Sequence, residues 1–442
     1  KIQSNFAQLI TIKLIQTKKD INSWLNTNAT NWDLEFPKYS SYHLKSGAQV
    51  YTLEGSSKEL CYCELIFENG RILEHKKMTA RFTSLMIQEG TKDYSSAKVA
   101  DFFDYYGASY SIHADLDFTS ISFSCLQKFF ETLLEFVIHL LSEPSFREED
   151  LTRCKLFLKS QLKHQLSEPD FVSYREFTAI IFGEDKTYGY NTTHESIDDI
   201  HVDDLRDYHE RTYVTSNLKI FYCGLKTNKY LHFWENKTKQ IKQKLAESKL
   251  IYHTIFEEKK VQHFPVPHAS QISMKLGCKM FSKMDKDFYP LYFINTVLGD
   301  YFGSRLMKNI REDKGFTYDI HSTLDAQLYD GCFYISAELN ASELHITLNE
   351  IKKEFERLQT TKIQDDELIM VKRYLHGHLQ RLLDGSFQSI LFLKILVTEY
   401  NDADAYQMII KTIREIDATQ IQSLSKKYLQ FDKMSLVTAG GN

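Results

Sequence analysis

The chain has 442 residues, too many for one ordinary core and suited to two or three domains. Hydrophobic residues make up 43% and charged residues 26%, with 6 prolines and no low-complexity stretch, which excludes a disordered or fibrous chain. A net charge of −5, from 54 basic and 59 acidic side chains mixed along the chain, offers no basic stripe for nucleic acid.

From the start of the chain, residues 1–35 read as an added arm ahead of the first recognisable unit. Phe6 to Ile15 is apolar but broken by Lys13, and it lacks a small-residue cleavage site. The best apolar run, Leu133 to Leu141, is interrupted by Glu135 and His139 and falls far short of the roughly 20 residues of a membrane span. Seven cysteines are scattered without a disulfide framework; Cys61 and Cys63 share one face of a strand-like run. They read as buried thiols in a reducing compartment, so the cytoplasm is expected, with the periplasm as the alternative if a leader has been removed.

The strongest internal signal is a repeat. Gly107-Ala108-Ser109-Tyr110-Ser111-Ile112-His113-Ala114-Asp115-Leu116-Asp117 recurs as Gly315-Phe316-Thr317-Tyr318-Asp319-Ile320-His321-Ser322-Thr323-Leu324-Asp325, with six of eleven positions identical. Each copy leads into an alternating strand: Ile121, Phe123 and Cys125 in the first, Phe333, Ile335, Ala337 and Leu339 in the second. An amphipathic helix follows each strand, then an acidic cap and another helix with matching anchors. Lys155, Leu158 and Leu162 correspond to Lys372, Leu375 and Leu379. The expected fold class is α+β: two homologous α/β-roll domains, each a mostly antiparallel sheet covered by helices. The expected boundaries are an arm over 1–35, a first domain over 36–226, a Lys/Glu-rich linker over 227–260 and a second domain over 261–442.

The segment Gly299-Asp300-Tyr301-Phe302-Gly303-Ser304-Arg305-Leu306, followed by Arg311-Glu312 and Gly315-Phe316-Thr317-Tyr318, resembles the second domain of the insulinase/pitrilysin family of zinc peptidases. Glu89-Gly90-Thr91 resembles the stretch just after that family's zinc motif, and the likeness extends over about residues 36–442. The resemblance implies paired α+β domains that enclose a chamber for unfolded peptides. It also places the family's H-x-x-E-H motif at Arg81-Phe82-Thr83-Ser84-Leu85, where both His and the Glu are replaced. Arg81 is always cationic, Leu85 has no lone pair, and Ser84 is no base near neutral pH unaided. The third ligand would fall near Lys159-Ser160-Gln161, where no carboxylate stands. Elsewhere His376 and His378 point to different sides of a helix, and His263 and His268 lack ligand companions, so no metal bound by this chain is expected.

Arg311 and Tyr318 keep the family's seven-residue spacing. The resemblance implies that such a pair reaches toward the zinc of another domain or subunit and holds the substrate. Two local alternatives stand beside it: Arg311 pairing with Glu312 or Asp313, and Tyr318 filling a strand face. Arg305 reads as a structural ion pair, the Gly299–Gly303 loop as a turn, and Tyr110 and His113 as strand packing. The expected function is the non-catalytic subunit of a heterodimeric zinc endopeptidase. Its partner would be a homologous subunit with an intact H-x-x-E-H, which would hold the zinc. A non-enzymatic scaffold or a peptide-binding chamber of the same fold is the alternative.

Overall fold

Alternation of apolar and polar side chains in the strands is what builds the two sheets of this computed structural model, which describes residues 34–55, 59–225, 229–244, 259–401 and 403–441. The first sheet contains β1 (Tyr39–His43), β2 (Gln49–Glu54), β3 (Leu60–Phe67), β4 (Ser109–Ala114), β5 (Thr119–Leu126) and β6 (Leu218–Gly224), in the order β1-β2-β6-β3-β5-β4. The second contains β7 (Val261–Phe264), β8 (Ile272–Met280), β9 (Ile320–Ala326), β10 (Gly331–Leu339) and β11 (Ser435–Gly440), in the order β7-β11-β8-β10-β9. Without β1, the two orders are the same when read strand for strand. In both sheets the first and last strands pair in parallel and the other pairs are antiparallel. The fold is α+β with two helix-covered sheets of one topology.

The two faces of β3 show how each sheet is covered. Cys61, Cys63, Leu65 and Phe67 lie in one core with Phe130, Leu133 and Val137 of the helix Phe130–Ser142. Trp234, on the helix Lys229–Thr238, is buried in that core. Ile66 and Tyr62 face the other way and pack on Ile390, Leu393 and Phe387, from the helix Gly385–Glu399 far along the chain. The reciprocal contact also exists. The helix Pro169–Phe182 lays Phe177, Ile180 and Ile181 on Cys332 and Val437 of the second sheet. Gly277 makes room for it, since a Cβ there would fall 2.8 Å from the Phe177 ring. Burying a side chain like Phe177 contributes about 1.5–3 kcal/mol. Each half of the chain thus lends a helix to the other half's sheet.

Two ion pairs of opposite polarity, each with one buried member, lie at the exchange. Asp170 at the start of the first exchanged helix pairs with Lys275 of β8 at 2.5 Å, and Lys275 is almost wholly buried. On the other side the helix supplies the cation: Lys394 pairs with buried Glu64 of β3 at 3.2 Å. Were each helix to dock on its own half's sheet, Asp170 would meet the sheet that holds Glu64 and Lys394 the one that holds Lys275. Like charges would then replace opposite ones in a setting where an unpaired charge is costly.

The residues divide into two units, Lys1–Glu35 and Phe36–Asn442. The expected arm lies outside the described residues except for Leu34 and Glu35, as do residues 227, 228 and 245–258 of the expected linker. The seven cysteines are buried and unpaired, with the Cys61 and Cys125 sulfurs 3.4 Å apart across the β3–β5 ladder. Among the described residues no helix is long and apolar enough to cross a membrane.

Candidate functional site

The helix Thr79–Gln88 carries the positions where the family motif would stand. Phe82 and Met86 fasten it to Leu151, Leu158 and Leu162 of the neighbouring helix Glu148–Gln165. Its N-terminus has no side-chain cap from Met78; the Glu74 carboxylate accepts the Ala80 N–H at 2.9 Å instead. The Tyr190 hydroxyl donates to the other Glu74 oxygen at 2.7 Å. Burial pushes the Glu74 carboxyl up to about 7.

Arg81 and Gln161 meet where zinc ligands would converge, the guanidinium donating to the amide oxygen at 3.0 Å. Ser84 is buried and spends its hydroxyl on the Arg81 carbonyl one turn back. Leu85 packs on the apolar cluster between the two helices. Lys159, near the expected third ligand, pairs with Asp198. This set holds a cation, a hydroxyl bound to backbone, an aliphatic chain and an amide, which does not fit zinc. Among the described residues no cluster of three or more His, Cys, Asp or Glu could hold a metal ion.

A cavity of about 200 Å³ opens beside Arg81 and is lined also by Arg71, Gln161, Tyr174, Arg175 and Tyr190. Arg71 and Arg175 were not legible as site residues. They lie on different segments with no motif around them, and only the fold brings them to Arg81.

Arg311 and Tyr318 lie in the second half. The helix expected around Arg305–Arg311 widens into a π-helix over Met307–Asp313, with the Phe316 N–H reaching back to the Ile310 carbonyl at 3.1 Å. Asn309 anchors this segment, donating to buried Glu354 at 2.6 Å while accepting from Lys314 at 2.5 Å. Single π turns often mark functional sites. Arg311 makes no ion pair with Glu312 or Asp313; its guanidinium lies 5.1 Å from the ring centre of Phe302, itself exposed. The strand-face alternative for Tyr318 does not hold: it stands two residues ahead of β9 and is 89% exposed. The Thr317 hydroxyl donates to the Glu338 carbonyl of β10 at 2.6 Å and accepts the Asp319 N–H at 3.2 Å, so a side chain bridges to β10 ahead of the ladder that starts at Ile320. No hydrogen bond joins Arg311 to Tyr318 among the described residues.

Three other expectations have definite outcomes. Arg305 forms a two-pronged pair with Glu367, both bonds 2.8 Å. Gly299 permits close approach of β9, since a Cβ there would lie 2.5 Å from the Ser322 hydroxyl. Tyr110 packs as expected, stacked at 4.1 Å on Phe103, whereas His113 is exposed and bonded to Asp115 at 3.0 Å.

The fold and the altered motif together define a paired-domain relative of the inverted-motif zinc peptidases. Two family models match: "Insulinase (Peptidase family M16)" over residues 49–189 and "Peptidase M16 inactive domain" over residues 199–375. The chain belongs to the insulinase family, peptidase family M16, and lacks its H-x-x-E-H motif. An uncharacterised zinc protease, YmxG, of Bacillus subtilis is 21% identical over 372 residues, 82% of this chain and 88% of that one. A non-peptidase homolog, YmxG, of Helicobacter pylori is 23% identical over 325 residues, 72% of this chain and 74% of its own. Two crystal structures share the fold. A peptidase M16 inactive domain from Pseudomonas fluorescens has a TM-score of 0.84 at 22% identity, covering 92% of this chain and 98% of that chain. A protease from Helicobacter pylori has a TM-score of 0.82 at 16% identity, covering 92% and 100%.

Proposed function

We propose that this chain is the non-catalytic subunit of a two-chain zinc endopeptidase, enclosing unfolded peptide with a homologous partner that carries H-x-x-E-H. In this reading it presents Arg311 and Tyr318 to the partner's zinc site. The observation that carries it is their freedom: neither side chain has a polar partner within the described chain, and Tyr318 is almost wholly exposed. The altered motif supports the division of labour, since Arg81, Ser84 and Leu85 leave the metal to the other subunit.

Zinc held by the partner would supply an activated water. This chain's part is electrostatic. Attack on a peptide carbonyl builds negative charge on its oxygen, and a guanidinium and a phenol held in place meet that charge without reorganising. Arg311 stays charged when a substrate desolvates it. The substrate would lie as an added strand along β9, the edge of the second sheet, directly after Tyr318. In the reconstituted complex Arg311→Ala lowers turnover by roughly 10²–10³-fold, the cost of one lost oxyanion donor. Unchanged turnover contradicts the proposal.

The name of the Helicobacter pylori relative, a non-peptidase homolog, favours a second reading: a non-enzymatic scaffold or peptide-binding chamber. In that case a complex with the zinc-bearing relative would form, but Arg311→Ala would change nothing in its peptide turnover.

A further inference from the structure

The cavity that takes the place of the zinc site carries excess positive charge. Among the described residues the Arg81 side chain makes one hydrogen bond, to Gln161, and no ion pair. Arg71 makes one, from Nη1 to the Tyr190 carbonyl at 3.1 Å, and its guanidinium lies 4.1 Å from the Tyr190 ring centre. Arg175 spends Nε on Glu176 at 3.0 Å and a weaker contact on the Thr192 carbonyl. Burial, and then the nearby Arg71 charge, disfavour the charged form of Arg81. Two guanidiniums therefore repel each other in a half-enclosed space. Of the neighbouring acids, Glu176 is held by Arg175 and Glu74 has its oxygens taken by Tyr190 and the Ala80 N–H.

The tyrosines of the lining differ from the arginines. Tyr174, Tyr188 and Tyr190 direct their hydroxyls onto Asp325, Asp117 and Glu74, at 2.6, 2.5 and 2.7 Å. Their rings, with Leu116, Leu158 and Phe171, form the apolar part of the lining, beside the amides of Gln161, Gln165 and Asn191. A small inorganic anion would use the cations and leave these apolar walls idle. A carboxylate attached to a residue uses both, because a guanidinium fork matches a planar carboxylate and the rings surround the rest.

We propose that this cavity binds a peptide carboxylate, with Arg71 and Arg81 as the anchor and the tyrosine rings around the residue that carries it. A fixed positive charge thereby stands where a metal would be, turned from activating water to holding an anion. The choice of a peptide as carrier rests on reading the fold as a peptide chamber; the carboxylate chemistry does not need a partner subunit.

The test is fluorescence anisotropy of this chain alone with a labelled, unstructured peptide in three forms. One has a free C-terminus and no acidic residue, the second is its C-terminal amide, and the third is the amide with one internal Glu. The free acid binds about tenfold more tightly than the neutral amide, the scale of one hydrogen-bonded charge pair. If the Glu-containing amide matches the free acid, the site takes a side-chain carboxylate; if it matches the neutral amide, it takes the chain terminus. The double variant Arg71→Gln/Arg81→Gln removes the preference while circular dichroism stays native. Arg81→Gln alone leaves the melting temperature of the free chain unchanged or higher, since it removes one of two repelling charges. A fall of several degrees would assign Arg81 a structural role and overturn the proposal. Equal binding of all three peptides, or no binding to the natively folded chain, overturns it as well. A mixture with a zinc-bearing relative that stays inactive while the free-acid preference persists would overturn the divided peptidase and leave this site standing.

Discussion

Tyr110 and Tyr318 occupy the same place in the two copies of the repeat and have opposite surroundings. Both follow a glycine in left-handed backbone, Gly107 at φ 59° and Gly315 at φ 66°, with open space where a Cβ would be. Both precede an exposed His–Asp pair, His113 with Asp115 and His321 with Asp319. The difference starts one residue earlier. Ser109 bonds across the ladder to Ser124 at 2.6 Å, and β4 begins there, which places Tyr110 in register with Phe123 and stacks it on Phe103. Thr317 also reaches across, its hydroxyl donating to the Glu338 carbonyl of β10 at 2.6 Å while accepting the Asp319 N–H, but β9 begins only at Ile320, and Tyr318 is left outside the ladder. A duplicated motif can thus be packing in one half and a presented side chain in the other, decided by where the strand starts.

The sharpest way to break this comparison is to remove both rings. Tyr110→Ala removes a half-buried, stacked ring and costs about 2–3 kcal/mol of stability, somewhat less than truncation of a fully buried aromatic. Tyr318→Ala stays within about 0.5 kcal/mol of the wild type, as for an exposed side chain. Urea unfolding of the two variants checks this; equal losses would mean that the two tyrosines are not differently placed.

The exchange of helices can be tested from the first sheet's side. Lys394→Met leaves Glu64 with only its Tyr62 and Ser120 hydroxyl partners and costs roughly 3 kcal/mol, the low end for breaking a buried pair. A loss below about 0.5 kcal/mol in the same unfolding assay would show that this pair does not hold the exchanged helix.

Glu74 gives the motif helix a pH dependence with a definite sign. Its carboxyl titrates near 4.5 when exposed and near 7 in the fold. Between those values the folded chain holds a proton that the unfolded chain does not. The stabilisation is therefore complete below about pH 4.5 and is lost as pH rises through 7, by about 2–3 kcal/mol. Glu74→Gln flattens this part of the stability–pH curve; an unchanged slope between pH 5 and 8 would contradict the assignment.

The smallest effect concerns the Tyr110 hydroxyl, which is buried without a hydrogen-bond partner. Tyr110→Phe is neutral or raises stability by up to about 1 kcal/mol, because it removes an unsatisfied polar group. A clear loss would point to a partner for that hydroxyl.

The repeat was legible because its signals are local: a glycine turn, an alternating strand, and helices with anchors three and four residues apart. The altered zinc motif was legible for the same reason, since Arg81, Ser84 and Leu85 share one helix, and Gln161 was reached by counting along the next. The exchanged helices were not legible. Phe177 and Ile390 are apolar positions that would suit either sheet, and the charges that decide between them, Asp170 with Lys275 and Lys394 with Glu64, lie far apart in the chain. Arg71 and Arg175 escaped notice because a cavity has no sequence period. The exposure of Tyr318 was not legible, because nothing local in Gly315-Phe316-Thr317-Tyr318 says that β9 begins only at Ile320.

The central claim is that this chain contributes Arg311 and Tyr318 to a site completed by another subunit. The direct measurement is cleavage of a quenched, unstructured peptide by this chain alone, by a family member with an intact H-x-x-E-H, and by their mixture. The account predicts chelator-sensitive cleavage that is strong only in the mixture and lost with Arg311→Ala. Cleavage by this chain alone, or a mixture that forms a complex and cleaves no faster than the zinc-bearing member by itself, would contradict it.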